Sequence, residues 1–312
     1  MFFNPAVPGE RAPGNSRVLA ILRWRLSGSH SRWPRRIVDP PPQGDPRAPV
    51  PPGSAGVTFI GHASFHLRLG ALSVLTDPVW SERCSPVAWA GPRRVRAPGR
   101  LLDELPRIDV VLVSHNHYDH LDLPSLRAVV KRDDPLFVTP LGNARLLAEA
   151  GVRRVRELDW WQAHELPGGA RVTATPARHF SARTPFDRNR TLWSGFAVEW
   201  DGKHVLFGGD SGAGAHWAAI RERVGVPDLA LLPIGAYKPR ALMAAVHMDP
   251  GEAVAAHMAL GARRSIGMHF GTFQLTDEPV GEPEARLRAA DLAPGAFTTL
   301  AFGETRHVPL SS

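Results

Sequence analysis

The segment Ser114–His120 is the feature of this chain that most constrains its fold and its chemistry. It reads Ser-His-Asn-His-Tyr-Asp-His and comes directly after the apolar run Val110–Val113. A short apolar run of this kind is typical of a buried strand, and alternate side chains of an extended chain point to the same side. We therefore predict that His115, His117 and Asp119 project together from the end of a strand.

The density of imidazole and carboxylate groups in this segment predicts a metal site. Neutral histidines and carboxylates are ligands of zinc, and a catalytic site keeps one position open for water. Two ions about 3.5–4 Å apart would use all of the ligand-type side chains of the segment. These side chains are His115, His117, Asp119 and His120. The alternative is a polar loop that is rich in histidine by chance, and further ligand-type residues along the chain argue against it.

The composition is ordinary for a globular protein with a core. The chain has 312 residues, of which 43% are hydrophobic and 21% charged. The formal net charge of +7 would attract anionic partners, but no aromatic–basic binding motif accompanies it, and we predict no nucleic-acid partner. Cys84 is the single cysteine, which excludes an intramolecular disulfide. No apolar stretch of about 18 residues is present, so we expect a cytoplasmic protein.

The beginning of the chain differs from the rest, and we predict an N-terminal extension over residues 1–56 and one domain over residues 57–312. Arg17–Arg36 mixes apolar residues and tryptophans with arginines. This pattern predicts a short basic amphipathic helix that either packs on the domain or contacts an anionic membrane surface. Asp39–Gly56 is rich in proline and predicts an extended connector.

After residue 57, short β-rich runs alternate with turns and helical patterns. The predicted strands are Val57–Leu69, Leu72–Thr76, Val110–Ser114, Leu136–Thr139, Arg171–Ala174, Gly195–Trp200, His204–Phe207, Leu229–Ile234, Arg264–Met268 and Thr298–Phe302. The predicted helices are Leu123–Val130, Ala144–Ala150 and Gly251–Leu260. Many strands with interspersed helices favour two packed sheets with helices on the outside.

Three more ligand-type residues follow predicted strand ends, and they are His179, Asp210 and His269. Site residues concentrate in loops that a rigid scaffold holds in place. Each of these residues alone is more typical of a core or a surface. Together with the first cluster, they complete the ligand set of a dinuclear site.

In this order of ligands the chain resembles the metallo-β-lactamase-fold hydrolases. The resemblance implies an α/β fold, namely a four-layer αββα sandwich of two mixed sheets with a two-metal site at one edge. It also implies which ion each ligand binds. One ion would be held by His115, His117 and His179, and the other by Asp119, His120 and His269, with Asp210 bridging both.

A closer resemblance is to the branch of N-acyl-phosphatidylethanolamine-hydrolysing phospholipases D. It extends from about Val57 to about Pro279. Its motifs are Thr76–Val79, Ser114–Asp122, Pro176–His179, Leu232–Arg240, His247–Pro250, Met268–Phe273 and Leu275–Pro279. The branch also includes bacterial proteins whose substrate is not settled. Lys238 departs from the acidic residue that is common there, which would alter the charge at the mouth of the pocket.

The resulting prediction is a zinc-dependent phosphodiesterase of phospholipase D type that acts on N-acyl-phosphatidylethanolamine-like glycerophospholipids. A hydroxide that bridges two zinc ions would be the nucleophile, because the ions lower the pKa of bound water. Iron or manganese also suits these ligands. The predicted catalytic residues are Asp119 and His247, of which His247 would protonate the leaving group or bind phosphate. The predicted substrate-binding residues are Tyr237 and Arg240, the latter through its planar guanidinium.

Alternatives stay open for the substrate and for the class of function. A lactonase or another carboxylic-ester hydrolase would use the same dinuclear site. A non-catalytic protein that binds a membrane or a partner is the alternative from another class, although seven intact ligand positions argue against it. Asp77 and His62 either orient a metal ligand or serve a local turn, with the structural role favoured for His62. The sequence does not predict the oligomeric state.

Overall fold

Two mixed sheets form the centre of the structure, a computed structural model that describes residues 1–4, 24 and 31–310. The strands are β1 Ser54–Gly61, β2 Ser64–Leu69, β3 Leu72–Thr76, β4 Val110–Leu112, β5 Leu136–Pro140, β6 Val155–Leu158, β7 Ala163–Glu165, β8 Arg171–Thr175, β9 Gly195–Trp200, β10 Lys203–Phe207, β11 Leu229–Pro233, β12 Arg264–Met268, β13 Phe297–Thr298 and β14 Thr305–Pro309. The helices are α1 Leu123–Asp133, α2 Ala144–Ala148, α3 His216–Val224, α4 Arg240–Met243, α5 Pro250–Leu260 and α6 Glu282–Arg288.

Each sheet contains seven of these strands. The first has the order β14-β1-β2-β3-β4-β5-β6, and the second has the order β13-β12-β11-β10-β9-β8-β7. In the first sheet, β3 to β6 are parallel to one another, and β2 is antiparallel to both β1 and β3. In the second, β10 to β13 are parallel, and β7 to β9 are antiparallel. The predicted two-sheet sandwich of mixed strands is confirmed.

Alternate side chains of the run Val110–Val113 are buried on opposite faces of the sheet, which explains why this apolar run forms a central strand. Val110 and Leu112 pack into the core between the sheets, whereas Val111 and Val113 pack beneath α1 and α2 on the outer side. A strand that is buried on both faces needs an uninterrupted apolar run. On the outer side of the second sheet, Trp217 of α3 and Leu260 of α5 are fully buried.

Helix α5 is the clearest case of a helix start encoded in the sequence. The Asp249 carboxylate accepts from the Glu252 backbone N–H at 2.9 Å, and the Glu252 carboxylate accepts in return from the Asp249 N–H at 3.0 Å. This capping box, with Pro250 in the first turn, satisfies donors that the helix itself leaves unpaired. The helix therefore begins at Pro250, one residue before the predicted start.

Three differences from the predicted strands have local causes. Val57–Leu69 is a hairpin and not one strand, because Gly61 and His62 have φ values of 136° and 57° and reverse the chain. Strands β6, β7 and β14 escaped prediction because they are short or polar and lie at or near the sheet edges. The last predicted strand, Thr298–Phe302, is instead the two-residue β13.

The segment before β1 runs along the domain. The Ile37 N–H donates to Val95 O at 2.6 Å, and the Thr305 N–H donates to Gln43 O at 2.8 Å. The predicted helix over Arg17–Arg36 lies outside the described residues except for Trp24 and residues 31–36, and residues 31–36 are not helical. The division of the chain at residue 56 stays a prediction.

Candidate metal centre

The carboxyl ends of six strands carry polar residues to one edge of the sandwich. Strands β3 and β4 are parallel, and so are β10, β11 and β12. Strand β8 has the direction of β10, because β9 pairs antiparallel with both. The loops that follow these strands carry Asp77, Ser114–His120, His179, Asp210, Tyr237–His247 and His269. The topology thus brings together residues that are up to 192 positions apart, from Asp77 to His269.

Three histidines form one half of the cluster. His115 Nε2 lies 2.8 Å from His117 Nδ1, and His179 Nε2 lies 3.1 Å from the same nitrogen. His115 and His179 are each 1% exposed. A tetrahedral ion with bonds of about 2.0–2.1 Å would hold such nitrogens about 3.3 Å apart. The three nitrogens are therefore spaced almost as a shared ion requires.

The other half combines two histidines with two carboxylates. His120 Nε2 lies 3.2 Å from Asp210 Oδ2 and 3.4 Å from Asp119 Oδ2. His269 Nε2 lies 3.1 Å from Asp210 Oδ2 and 3.3 Å from Asp119 Oδ2. Asp210 Oδ2 is also 3.7 Å from His179 Nε2. The Asp210 carboxylate thus faces both halves, which is the position that a bridging ligand needs.

Neighbouring acceptors fix the ring orientation of two of the histidines. His179 Nδ1 lies 3.0 Å from the Val246 carbonyl oxygen, and His120 Nδ1 lies 2.6 Å from Asp77 Oδ2. A carbonyl or carboxylate oxygen only accepts, so the ring proton is on Nδ1 in both residues. Their Nε2 atoms then point into the cluster. Histidines that bind metals are oriented in this way.

The donor set fits a metal ion. Imidazole nitrogens and carboxylate oxygens suit zinc, iron and manganese. Among the described residues, His120 Nε2 and Asp210 Oδ1 are buried and have no hydrogen-bond partner. Buried polar atoms without a partner are costly, and a bound ion would satisfy them. Within the described residues, four overlapping groups could hold an ion, and together they contain His62, Asp77, His115, His117, Asp119, His120, His179, Asp210, His247 and His269.

The two halves differ in their electrostatics. Burial lowers the pKa of His115 and His179 well below the ordinary value, and lowers that of His117 to about 4. For His269, burial opposes the charge, but the Asp210 carboxylate outweighs it and raises the pKa to about 9. The pKa of His120 is raised for the same reasons. Thus one half is a neutral nitrogen site, and the other is an ion-paired site.

His247 lies beside this cluster. It is 9% exposed, and its Nδ1 lies 3.8 Å from Asp210 Oδ2. Its ring centroid is 5.0 Å from that of His179 and 5.4 Å from that of His269. Burial lowers its pKa to about 4. The structure therefore places His247 beside the cluster as a neutral ring, and its catalytic role stays a prediction.

The predicted substrate residues are held by other side chains. The Tyr237 hydroxyl is buried and donates to Glu282 Oε1 at 2.7 Å. The Arg240 guanidinium donates to both oxygens of Glu252 at 2.7 and 2.6 Å, and to the His247 carbonyl oxygen at 3.0 Å. These contacts do not bring either side chain into the His/Asp cluster.

Lys238 has a similar environment. Its ammonium lies 2.7 Å from Glu282 Oε1, and its backbone N–H donates to Glu278 Oε2 at 3.1 Å. The charge that departs from the pattern of the branch is therefore paired with a carboxylate. Its effect on specificity stays a prediction.

Comparison with known proteins agrees with this architecture. Residues 73–270 match the beta-lactamase superfamily domain. An uncharacterized protein of Mycobacterium tuberculosis is 40% identical over 280 residues, which are 87% of this chain and 73% of that protein. N-acyl-phosphatidylethanolamine-hydrolyzing phospholipase D 1 of Caenorhabditis elegans is 37% identical over 263 residues, covering 79% and 74%. A metal-dependent hydrolase of Rubrobacter xylanophilus is 32% identical over 253 residues, covering 76% and 89%.

Solved structures share the fold. Igni18, a metallo hydrolase of Ignicoccus hospitalis, superposes with a TM-score of 0.62 at 23% identity, over 81% of this chain and 98% of its own. CmlA, a diiron β-hydroxylase of Streptomyces venezuelae, gives 0.61 at 21% identity, over 84% and 55%. The chain belongs to the metal-dependent hydrolases of the metallo-β-lactamase fold, in the branch of the N-acyl-phosphatidylethanolamine-hydrolysing phospholipases D.

Proposed function

We propose that this protein is a zinc-dependent phosphodiesterase of phospholipase D type that acts on N-acyl-phosphatidylethanolamine-like glycerophospholipids. The convergence of buried histidines and carboxylates at one sheet edge carries the proposal, since His117 and Asp210 each face several other ligands at 2.8–3.7 Å. The similarity to the C. elegans phospholipase supports the substrate class.

The ligand assignment follows the two halves of the cluster. His115, His117 and His179 would hold one ion. Asp119, His120 and His269 would hold the other, with Asp210 between them. Two divalent ions bound there would lower the pKa of water and polarise a phosphoryl oxygen.

The protein residues would orient the reacting groups. Asp119 is 9% exposed and would accept a proton from water at the site. The His247 ring would donate to a phosphoryl oxygen or to the leaving group, since Nδ1 is buried without a partner in the described residues. Arg240 would act through His247, because it binds the His247 carbonyl oxygen.

Positive charge near the cluster supports an anionic substrate. The Phe180 ring centroid lies 4.5 Å from that of His117, and the Arg188 guanidinium lies 4.0 Å from the Phe180 ring centroid. Arg188 is exposed, so its charge lies at the surface, one ring away from a predicted ligand. A phosphodiester keeps a negative charge at neutral pH, whereas a lactone has none. This arrangement favours the phosphodiester.

A substrate panel tests the proposal. Purified protein loaded with zinc is assayed with bis-p-nitrophenyl phosphate, with N-acyl-phosphatidylethanolamine vesicles and with a set of lactones. We expect hydrolysis of both phosphodiesters and its loss in Asp210→Asn, which has nearly the same shape. Hydrolysis of lactones alone would replace the proposal by the carboxylic-ester alternative. The absence of any hydrolysis in a metal-loaded protein would favour the non-catalytic alternative.

We also propose peripheral contact with an anionic membrane through the loop of residues 181–190. Phe186 in this loop is 84% exposed, and Arg188 and Arg190 of the same loop are exposed as well. Phe3, 71% exposed, lies next to this loop, because the Phe2 N–H donates to Asn189 O at 2.9 Å. Aromatic side chains together with arginines suit the interface of an anionic bilayer. No helix in the described part of the chain is long and apolar enough to cross a membrane.

Sedimentation with vesicles tests this contact. We expect binding to vesicles that contain phosphatidylglycerol, weaker binding of Phe186→Ser, and unchanged hydrolysis of bis-p-nitrophenyl phosphate by that variant. Equal binding of Phe186→Ser and the unmodified protein would contradict the contact.

A further inference from the structure

His62 lies in the tight turn between β1 and β2, at the same sheet edge as the cluster. It is 2% exposed, and its φ of 57° is in the left-handed region. A left-handed backbone is strained for a residue other than glycine. Such residues persist where the surroundings hold them, and they concentrate at functional sites. We therefore expect a functional contact of the His62 imidazole.

The ring of His62 is directed at a predicted ligand. Its Nε2 lies 2.9 Å from Asp119 Oδ2, and its ring centroid lies 4.1 Å from that of His269. We propose that His62 is a positioning residue that holds Asp119 in the orientation in which it binds the ion. The inference rests on the proposed metal centre and extends it by a residue outside the ligand set.

The hydrogen bond determines where the His62 proton lies. A carboxylate only accepts, so Nε2 carries the proton and donates it to Asp119. An oxygen of a carboxylate has a second lone pair, which stays available for the ion. A nitrogen that carries a proton has no lone pair for a metal. In this tautomer, His62 orients a ligand. Because His269 Nε2 also lies 3.3 Å from Asp119 Oδ2, the positions of the rings must separate the two roles.

The position of Nε2 supports the same distinction. The Nε2 atoms of His120 and His269 each lie within 3.4 Å of both Asp119 and Asp210. The contact of His62 Nε2 is with Asp119. Among the described ion pairs, His62 thus contacts Asp119 alone, whereas His120 and His269 each contact both Asp119 and Asp210, the predicted bridging ligand. The buried Nδ1 atoms of His62 and His269 both lack a partner in the described residues, so those atoms do not separate the two roles.

The backbone of His62 ties the turn to the loop after β12. Its N–H donates to Thr272 Oγ1 at 2.9 Å, and its carbonyl oxygen accepts from the His269 N–H at 2.8 Å. His269 also has a left-handed φ, of 62°. One residue thus holds the loop of His269 through its backbone and the Asp119 carboxylate through its ring. A side-chain substitution at His62 removes only the second contact.

Two substitutions at the same position separate the roles. The amide nitrogen of His62→Gln can reach about as far as Nε2 and donate to Asp119, whereas His62→Phe fills the space without a donor. Both have the same left-handed backbone, so its strain cancels in the comparison. We expect the affinity for the ion that Asp119 would bind to fall about 10–100-fold in His62→Phe, the range for lost ligand-orienting contacts, and to be largely retained in His62→Gln. Metal content is measured after dialysis against graded chelator, together with the melting temperature of the stripped protein.

His66 provides the matched control. It is a buried histidine, 1% exposed, on β2, and its Nε2 lies 2.9 Å from Ser73 Oγ. His66→Gln should lower the melting temperature and leave the metal affinity unchanged. Loss of the ion from this variant as well would overturn the proposal, because the effect would then follow from any buried histidine.

The remaining outcomes are also decisive. Equal loss in His62→Gln and His62→Phe would mean that His62 binds the ion itself, and equal retention would mean that it serves the turn alone. Either result overturns the proposal. In Asp119→Asn, adding His62→Phe should cause little further loss of affinity, because the two residues act through one contact. If the unmodified protein binds no metal, the proposed function fails, and this result is distinct from every outcome above.

Discussion

The His/Asp cluster and the segment Tyr237–Glu252 lie side by side, but their polar groups are satisfied in opposite ways. In the cluster, ligand atoms face one another, and Asp210 Oδ1 is buried without a partner in the described residues. In the segment, the Arg240 guanidinium donates hydrogen bonds to both carboxylate oxygens of Glu252, and the Tyr237 hydroxyl donates to Glu282. A group that already has a partner has less to offer a substrate.

This difference separates binding residues from supporting residues. In the cluster, buried ligand atoms are left without a partner within the described residues, and an ion would satisfy them. The segment has charges of both signs in pairs, and it presents His247 through the contact of its carbonyl oxygen with Arg240. The Glu252 carboxylate that holds Arg240 also caps α5. We therefore expect substitutions in the cluster to abolish function, and substitutions in the segment to reduce it.

The largest effect is expected in the cluster itself. His117→Ala removes the nitrogen that lies near both His115 and His179, so at least one ion should be lost and turnover should fall by about a thousandfold or more, equivalent to about 4 kcal/mol. Metal analysis and steady-state kinetics on bis-p-nitrophenyl phosphate measure both. His164→Ala, on the edge strand β7, is the control and should leave both unchanged. Full turnover in a metal-depleted His117→Ala protein would contradict the expectation that substitutions in the cluster abolish function.

Arg240 is expected to have an intermediate effect. Arg240→Gln loses the ion pair and weakens the contact that holds His247, so kcat should fall about tenfold, or about 1.4 kcal/mol, and KM should change little. Glu252→Gln breaks the same pair without removing the guanidinium and should reproduce part of the loss. A large increase of KM in Arg240→Gln with normal kinetics in Glu252→Gln would instead support the predicted contact of Arg240 with phosphate.

Tyr237 is expected to affect stability more than turnover. Tyr237→Phe removes the hydrogen bond to Glu282, which should lower the free energy of unfolding by about 1 kcal/mol. Turnover should stay within about twofold, since the hydroxyl is already bound to a carboxylate. Urea unfolding and kinetics measure the two quantities. An unchanged stability with a tenfold increase of KM would assign the hydroxyl to the substrate.

Lys238 should have the smallest effect. Its side chain is 38% exposed and is paired with Glu282, and such surface pairs contribute about 0–1 kcal/mol. Lys238→Met should therefore change the unfolding free energy and the KM for an anionic phosphodiester only slightly. A clear shift of KM at low salt that disappears at high salt would mean that the charge reaches the substrate.

The sequence predicts much of the cluster because its ligands are concentrated. Residues 115–120 follow an apolar strand directly, and His179, Asp210 and His269 follow strand ends. The residue types and their positions after strands therefore indicate the same site. The pairing of Arg240 with Glu252 is harder to predict, and the substrate role of Arg240 stays a prediction. Its partner Glu252 belongs to the capping box of a helix, and nothing local marks it as a partner of Arg240.

His62 illustrates the other limit of prediction. Its partner Asp119 is 57 positions away, and a lone histidine in a turn is not distinctive. Only the pairing of β1, β2 and β3 with β4 places the hairpin turn beside the cluster. The short edge strands were missed for a related reason, since their polar residues carry little periodicity and their pairing depends on neighbours that are distant in sequence.

The most direct test of the account is a metal titration of the stripped protein. Zinc is added stepwise to chelator-treated protein while hydrolysis of bis-p-nitrophenyl phosphate and bound metal are followed together. We expect hydrolysis to rise with bound metal and to reach its plateau at about two ions per chain, and we expect no such plateau for Asp210→Asn. Full hydrolysis before any metal is added, or unchanged titration of Asp210→Asn, would contradict the account.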